Sequence, residues 1–276
     1  MPLSRTTIFI VFGFLFFSAF QSYAGLVLER ERYEEGASQK MKGTIYMQDN
    51  KIKSFDEEGQ FSAIFDLDTG EMIQVDNLSK RYSSTQAVDY FAYYKQYALK
   101  MKAAMVQRLS ELPPNQRAQA EGMMKRQGIE LPGNNVGTVR ITLKNKGDKK
   151  KIAGYESAKY EIYRDGKLDE EIWTSNDIRF QEEIDMNKMV DYLRELTKIE
   201  DSMRGSSSLS KEAEQVYTEV FSSGFPMKTI DYPLSGNSIV EQTIKVSNRK
   251  IDSSEFQAPK GYTKVPLEQM LQLGPQ

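Results

Sequence analysis

The residues here whose types could do acid–base chemistry are a run of carboxylates, Glu170, Glu171, Glu182, Glu183 and Asp185. Two carboxyl groups held close together can divide proton donation and acceptance between them, but nothing in this spacing brings any two into register. The chain has no histidine and no cysteine. That removes the Ser-His-Asp and Cys-His arrangements, the usual zinc ligands and the commonest general base together. Asp66-Leu67-Asp68-Thr69-Gly70-Glu71 begins like a calcium loop, yet it lacks an oxygen ligand at the fifth position and has Asn77 where a glutamate is needed at the twelfth. It reads as a hairpin turn. Gly-x-Ser-x-Gly, phosphate-loop and dinucleotide fingerprints are all absent. No catalytic residue, metal ligand or cofactor is expected.

Apolar recognition is the chemistry the sequence does offer. Tyr90, Tyr94, Tyr97, Met101 and Met105 follow helical spacing, with Phe91 and Tyr93 beside them. Such a stripe packs as core, or forms a surface that repacks around an irregular apolar guest, since methionine is flexible and polarisable. Met123, Met124, Met186, Met189 and Met203 fall in the other helical segments. The densest basic cluster is Lys144, Lys146, Lys149, Lys150 and Lys151, read as a solvated hairpin tip around Gly147-Asp148. Asn77-Leu78-Ser79 matches a glycosylation sequon, which has no bearing in a bacterial host.

The N-terminus supplies an address. Arg5 precedes the apolar run Ile8 to Phe17, and small residues stand at Ser22 and Ala24 around Tyr23. This is the order of a secretory signal peptide cleaved after Ala24. The run is broken by Ser18, Gln21 and Ser22, short of the ~20 apolar residues a spanning helix needs. The expectation is a soluble periplasmic protein with no stable membrane span after cleavage. With 37 basic against 39 acidic residues, the charge is too balanced for a nucleic-acid binder.

Strands and helices must position these groups. Leu26 to Tyr33, Gln39 to Met47, Lys51 to Phe55, Phe61 to Leu67 and Glu71 to Val75 read as an antiparallel meander with one covered face. Thr85 offers an N-cap for a helix to about Leu112, stopped by Pro113-Pro114, and a second helix runs from about Pro114 to Gln127. A strand resumes at Gly137. Glu156 to Tyr163 and Leu168 to Ser175 form a hairpin about Asp165-Gly166, and a left-handed bulge at Gly166 would set Tyr160 against Ile172 and Ala158 against Thr174. Helical segments from about Glu182 to Met203 and Ser210 to Phe221 flank the flexible Gly205 to Ser208. A last hairpin joins Phe225 to Tyr232 with Ser238 to Ser247, with Val240, Ile244 and Val246 on its apolar face. The predicted class is α+β, an antiparallel sheet with helices gathered on one side. Residues 25–266 form one domain, followed by a loosely held tail over 267–276.

Lys151-Ile152-Ala153-Gly154-Tyr155-Glu156-Ser157-Ala158-Lys159-Tyr160-Glu161-Ile162, followed by Asp165-Gly166-Lys167 and Ile172-Trp173-Thr174, resembles an uncharacterised periplasmic family related to the outer-membrane lipoprotein carriers. The ending Ile251 to Tyr262, containing Glu255-Phe256-Gln257-Ala258-Pro259, resembles the phrase that closes such proteins. The resemblance implies a curved antiparallel sheet, an unclosed half-barrel, with helices packed on its concave side. It also implies a cavity for a lipid, a lipoprotein or another apolar ligand. The expected lining is Tyr90, Tyr94, Tyr97, Met101, Met105 and Trp173. Ser157 stands where relatives often have cysteine, and the helical segments are longer than a simple carrier's lid. The alternative is a non-catalytic envelope interaction or structural protein, bound to a protein partner, with its concave side filled by its own helices.

Overall fold

The computed structural model describes residues 25–126, 140–192, 194–195, 211–233 and 236–271. The expected signal peptide, the expected strand start at Gly137, Gly205 to Ser208 and Met203 lie outside them. Twelve strands form one sheet: β1 (Leu26–Glu34), β2 (Met41–Gln48), β3 (Lys51–Asp56), β4 (Phe61–Asp66), β5 (Glu71–Asp76), β6 (Arg81–Gln86), β7 (Ile141–Ile152), β8 (Tyr155–Arg164), β9 (Lys167–Ser175), β10 (Phe225–Asp231), β11 (Ile239–Asn248) and β12 (Thr263–Lys264). Their order is β12-β6-β5-β4-β3-β2-β1-β11-β10-β9-β8-β7. β1 lies inside the sheet and joins the meander to the later strands. Every pairing is antiparallel except β12 with β6, and the edges β7 and β12 do not meet. The helices are α1 (Ala87–Glu111), α2 (Pro114–Arg126), α3 (186–192), α4 (Lys211–Ser222) and α5 (Leu267–Leu271). The sheet is thus the unclosed α+β half-barrel expected.

Tight turns set the register. Asp49 and Asn50 both have positive φ, as do Ala153 with Gly154 and Asp165 with Gly166. Two consecutive left-handed residues make the hairpin turn whose twist matches that of the strands it joins. In the β8–β9 hairpin Tyr160 faces Ile172 and Ala158 faces Thr174, as expected. The device differs: Asp165-Gly166 closes a two-residue loop, and the shift occurs between Ile162 and Tyr163, leaving Asp169 unpaired.

The covered face is a row of apolar side chains. Leu26, Met47, Ile52, Phe65 and Met72 stand directly opposite one another across β1 to β5. Leu26, Met47, Phe65 and Met72 are buried there with the fully buried Leu28 and Met227. The other face is covered too, a correction to the single covered face expected. Val27, Ile64, Ile73 and Val75 point the opposite way and bury Ile251 and Phe256 of the C-terminal segment. A third cluster seats α4 on the second half of the sheet through Val216 and Val220 against Ile141, Ile162 and Ile172.

Several local expectations are revised. Thr85 is not an N-cap: it pairs with Met72 inside β6, and Gln86 precedes α1 without a side-chain cap. β6 is too polar, Arg-Tyr-Ser-Ser-Thr-Gln, to stand out as a strand by pattern. The lysine cluster is not a hairpin tip. It lies along edge strand β7, broken by an irregularity between Asn145 and Lys149 where Gly147 has φ +71°. Lysines and a bulge on an edge strand discourage pairing with other chains. Val240 and Val246 do not share a face: Val240 pairs with Tyr33 and Val246 with Leu28, which point to opposite sides of β1, because Ile244 shifts the register between them. Ile244 is the extra residue where β11 slips against Glu29 and Arg30, and it is exposed. The tail begins with α5, whose Leu267 is buried.

Candidate functional site

α1 leaves β6 at the edge of the meander, and its first turns dock on the sheet. Phe91 is buried, and Tyr90 accepts a 3.3 Å hydrogen bond from Gln74 Nε2 on β5. Burial pushes the Tyr90 phenol well above its ordinary pKa, so it stays neutral. From α3, Tyr192 stacks on Phe65 at 4.0 Å and meets Phe91 at 5.6 Å, and burial raises its phenol to about 12. Asn50 anchors the chain before α3: its backbone N–H donates to Glu183 and its side-chain oxygen accepts from the Asp185 N–H at 2.7 Å. These contacts hold aromatic side chains over the apolar row. At the far end of α1, Arg117 of α2 donates to the carbonyls of Leu109, Ser110 and Leu112, and the Leu109 carbonyl also accepts from the Leu112 N–H, so the helix end is capped.

Beyond Tyr90 the same sheet face opens into a groove. The next residues along the strands are small, Ser54, Ala63 and Gly43, and their size leaves space beneath Tyr94. The groove measures about 690 Å³ and is open to solvent. Ile45, Tyr94, Phe61, Met41 and Met270 give it apolar walls; Met41 and Phe61 are exposed at the mouth. Arg30 and Glu241 close one side with a 2.7 Å ion pair. Burial lowers the Arg30 pKa and the neighbouring Glu241 carboxylate opposes the shift, so the guanidinium remains charged. An apolar trough with a charged pair at its side can hold and orient an amphipathic molecule.

The six expected lining residues do not act together. Tyr94 lines the groove. Tyr90 is half-buried under α1, Tyr97 and Met101 are exposed farther along the helix, and Met105 is half-buried. Trp173 lies in the buried cluster with Leu26, Phe65 and Met227, against which Tyr90 also packs, but it is not in the groove: it pairs with Lys159 and Lys228, on the side of β9 opposite Ile172 and α4. The helical period found the docking turns and continued past them. Arg30, Met41, Phe61, Ala63 and Glu241 were missed, although alternate small residues at Gly43 and Ala63 marked a strand face with room above it.

The carboxylate run is dispersed. Glu170 accepts from Tyr217, Glu171 from Tyr232 and Lys159, and Glu182 from Arg179. Glu183 is buried, its Oε2 has no hydrogen-bond partner, and burial raises its pKa. Asp66 to Glu71 is the hairpin turn expected, with the Asp66 carboxylate accepting from the Asp68 and Thr69 N–H groups. Among the described residues no cluster of acidic side chains could hold a metal, and no helix is long and apolar enough to cross a membrane.

The fold is therefore an unclosed, curved α+β sheet with a groove beneath its first helix. Residues 135–262 match the family described as a domain of unknown function, DUF4412. Both stretches that carried the family resemblance, 151–174 and 251–262, lie inside that match. Among solved structures the chain is similar to PNGF-II, at 12% identity and a TM-score of 0.39, covering 90% of this chain and 32% of that one. It is similar to MucB in the Pseudomonas aeruginosa MucA/MucB complex, at 8% identity and a TM-score of 0.38, covering 87% and 58%. A putative outer membrane lipoprotein-sorting protein domain from Vibrio parahaemolyticus follows, at 6% identity and a TM-score of 0.27, covering 86% and 91%. The chain spans about a third of PNGF-II and under two thirds of MucB. No curated protein matches. At these TM-scores the fold rests on the strand order itself.

Proposed function

We propose that this chain is a non-catalytic periplasmic binding or carrier protein that holds a lipid, a lipid-modified protein or another apolar ligand in the groove beneath Tyr94. The observation that carries the reading is the groove itself. Its 690 Å³ falls within the roughly 300–1,000 Å³ typical of ligand sites, which are mostly apolar with a few placed polar groups. Each methylene buried there contributes about 0.8 kcal/mol, so a chain of ten gains about 8 kcal/mol before the costs of association. Arg30 is placed to meet an anionic headgroup at the side of the groove. Secretion through the leader ending at Ala24 would deliver the protein to the envelope.

A second reading is an envelope interaction protein. It is favoured by the aromatic side chains of α1 and α3 that fill the neighbouring part of the same face, Tyr90, Phe91 and Tyr192. Extraction of the purified protein followed by mass spectrometry separates the two. The carrier reading expects copurifying lipid and saturable binding of a fluorescent fatty-acid analogue. An empty protein that also ignores the analogue overturns it.

A further inference from the structure

A second set of side chains lies apart from the groove, on the side of β9 opposite α4. Lys159, Trp173 and Lys228 stand directly opposite one another across β8, β9 and β10. Paired residues on neighbouring strands project to the same side with Cβ atoms about 5 Å apart. Lys150 of β7 reaches into this row, its Nζ 3.7 Å from the centre of the Trp173 ring. Trp173 is 8% exposed, and its indole N–H is buried without a hydrogen-bond partner.

The charges around Trp173 do not balance. Lys159 is bridged by Glu161 and Glu171, each at 3.0 Å, and Lys146 shares Glu161 at 3.5 Å. Both carboxylates are further engaged by phenols, Glu161 by Tyr163 at 2.6 Å and Glu171 by Tyr232 at 2.8 Å. Lys150 and Lys228 form no ion pair with any described residue, and both are partly buried. Burial and the proximity of Lys228 and Lys159 lower the Lys150 pKa, only partly opposed by Glu171. Four ammonium groups therefore share two carboxylates. Two uncompensated cations at a half-buried site repel one another, and a dianion restores neutrality.

We infer that Lys150 and Lys228, flanking Trp173 on the side of β9 opposite α4, form a binding site for a phosphate group. The ammonium groups supply the charge and Lys159 completes the row. The carboxylates Glu161 and Glu171 orient Lys159 and keep the site from attracting anions without discrimination. The phosphate belongs either to a free solute or to a lipid headgroup ending in a phosphate monoester, and both present the same dianionic oxygens. This site does not depend on the groove beneath Tyr94.

Trp173 is the chain's one tryptophan, so its fluorescence reports on the site directly. Inorganic phosphate titrated into the purified protein at fixed ionic strength, followed by fluorescence and by calorimetry, should show saturable one-to-one binding that chloride does not reproduce. Lys150→Met and Lys228→Met should each weaken binding at least tenfold. Lys245→Met, which breaks an ion pair with Glu29 on another strand pair, should leave it unchanged. Sedimentation with phosphatidic acid vesicles against phosphatidylcholine vesicles identifies the source. Vesicle binding that needs the same lysines assigns a headgroup; phosphate binding without it assigns a solute. Absence of saturable phosphate binding to the unmodified protein by both methods overturns the inference, whatever the variants do. So does binding that survives in the folded double variant.

Discussion

Gly224 links the end of α4 to the start of β10, and replacing it with alanine should be among the most damaging single-methyl changes in the chain. Its φ is +134°, outside the conformations that residues with a Cβ readily adopt, which costs about 1–3 kcal/mol. A Cβ built there would also lie 2.6 Å from the carbonyl carbon and oxygen of Ser175, backbone atoms that cannot rotate away. Forcing that overlap adds about 1–3 kcal/mol as in overpacked cores, for a total near 4 kcal/mol. Gly166 is the control: its φ is +78° in the β8–β9 turn, and nothing lies within 4 Å of an added Cβ. Only the left-handed strain of about 1–2 kcal/mol applies to Gly166→Ala. At about 2–4 °C per kcal/mol for a protein of this size, Gly224→Ala should lower Tm by about 8–16 °C and Gly166→Ala by about 2–8 °C. Urea unfolding with unchanged m-values should return the same difference. Equal losses in the two variants, or a loss under about 1 kcal/mol for Gly224→Ala, would refute the argument that contact with Ser175 decides the cost.

Two carboxylates should respond to pH in opposite senses. Burial raises the Glu183 pKa in the folded protein, so stability is full below the unfolded value, about 4.3, and is lost as pH rises through the folded pKa. Glu183→Gln should therefore raise Tm at pH 8 and converge with the unmodified protein near pH 4; a loss of stability at pH 8 would show that the hydrogen bond from the Asp49 N–H outweighs the cost of burying the charge. For Asp66, burial opposes ionisation, but hydrogen bonds from Lys51 and from the Thr69 and Asp68 N–H groups prevail and hold its pKa low. Its contribution is present above the unfolded value and falls away as pH drops through the folded one. Asp66→Asn should cost stability at pH 7 and little below pH 3, read from thermal melts across that range; a pH-independent loss would assign the effect to packing instead.

Much of the fold was legible because hairpin geometry is local. Period-two alternation and turn residues marked the meander, and the pairing of Tyr160 with Ile172 followed from side-chain compatibility even though the bulge sits at Asp169. β6 was hidden because Arg81 to Gln86 is polar on both faces, and its place in the sheet comes from Met72 and Val75 on the neighbouring strand. The second covered face was hidden because the cover of Ile64, Ile251 and Phe256, lies nearly 190 residues away in sequence. The groove was harder still. Its walls come from β1, β2, β4 and β11 as well as α1, and the space exists because Gly43, Ser54 and Ala63 are small, a property of missing atoms that periodicity does not register. The tyrosine and methionine stripe was read as one surface, while among the described residues its first turns alone meet the sheet. The solvent exposure of Tyr97 and Met101 depends on where the sheet ends.

The central claim is that the groove beneath Tyr94 holds an apolar ligand, and filling it tests this most directly. Ala63 is exposed at the groove floor, opposite Ser54 and Gln74, so Ala63→Trp occupies the space without disturbing buried packing. Titration of a fluorescent fatty-acid analogue should give saturable binding to the unmodified protein and at least tenfold weaker binding to Ala63→Trp, with Tm changed by no more than about 2 °C, the shift expected from under 1 kcal/mol. Binding that is equal in the two folded proteins, or absent from both, would contradict the account.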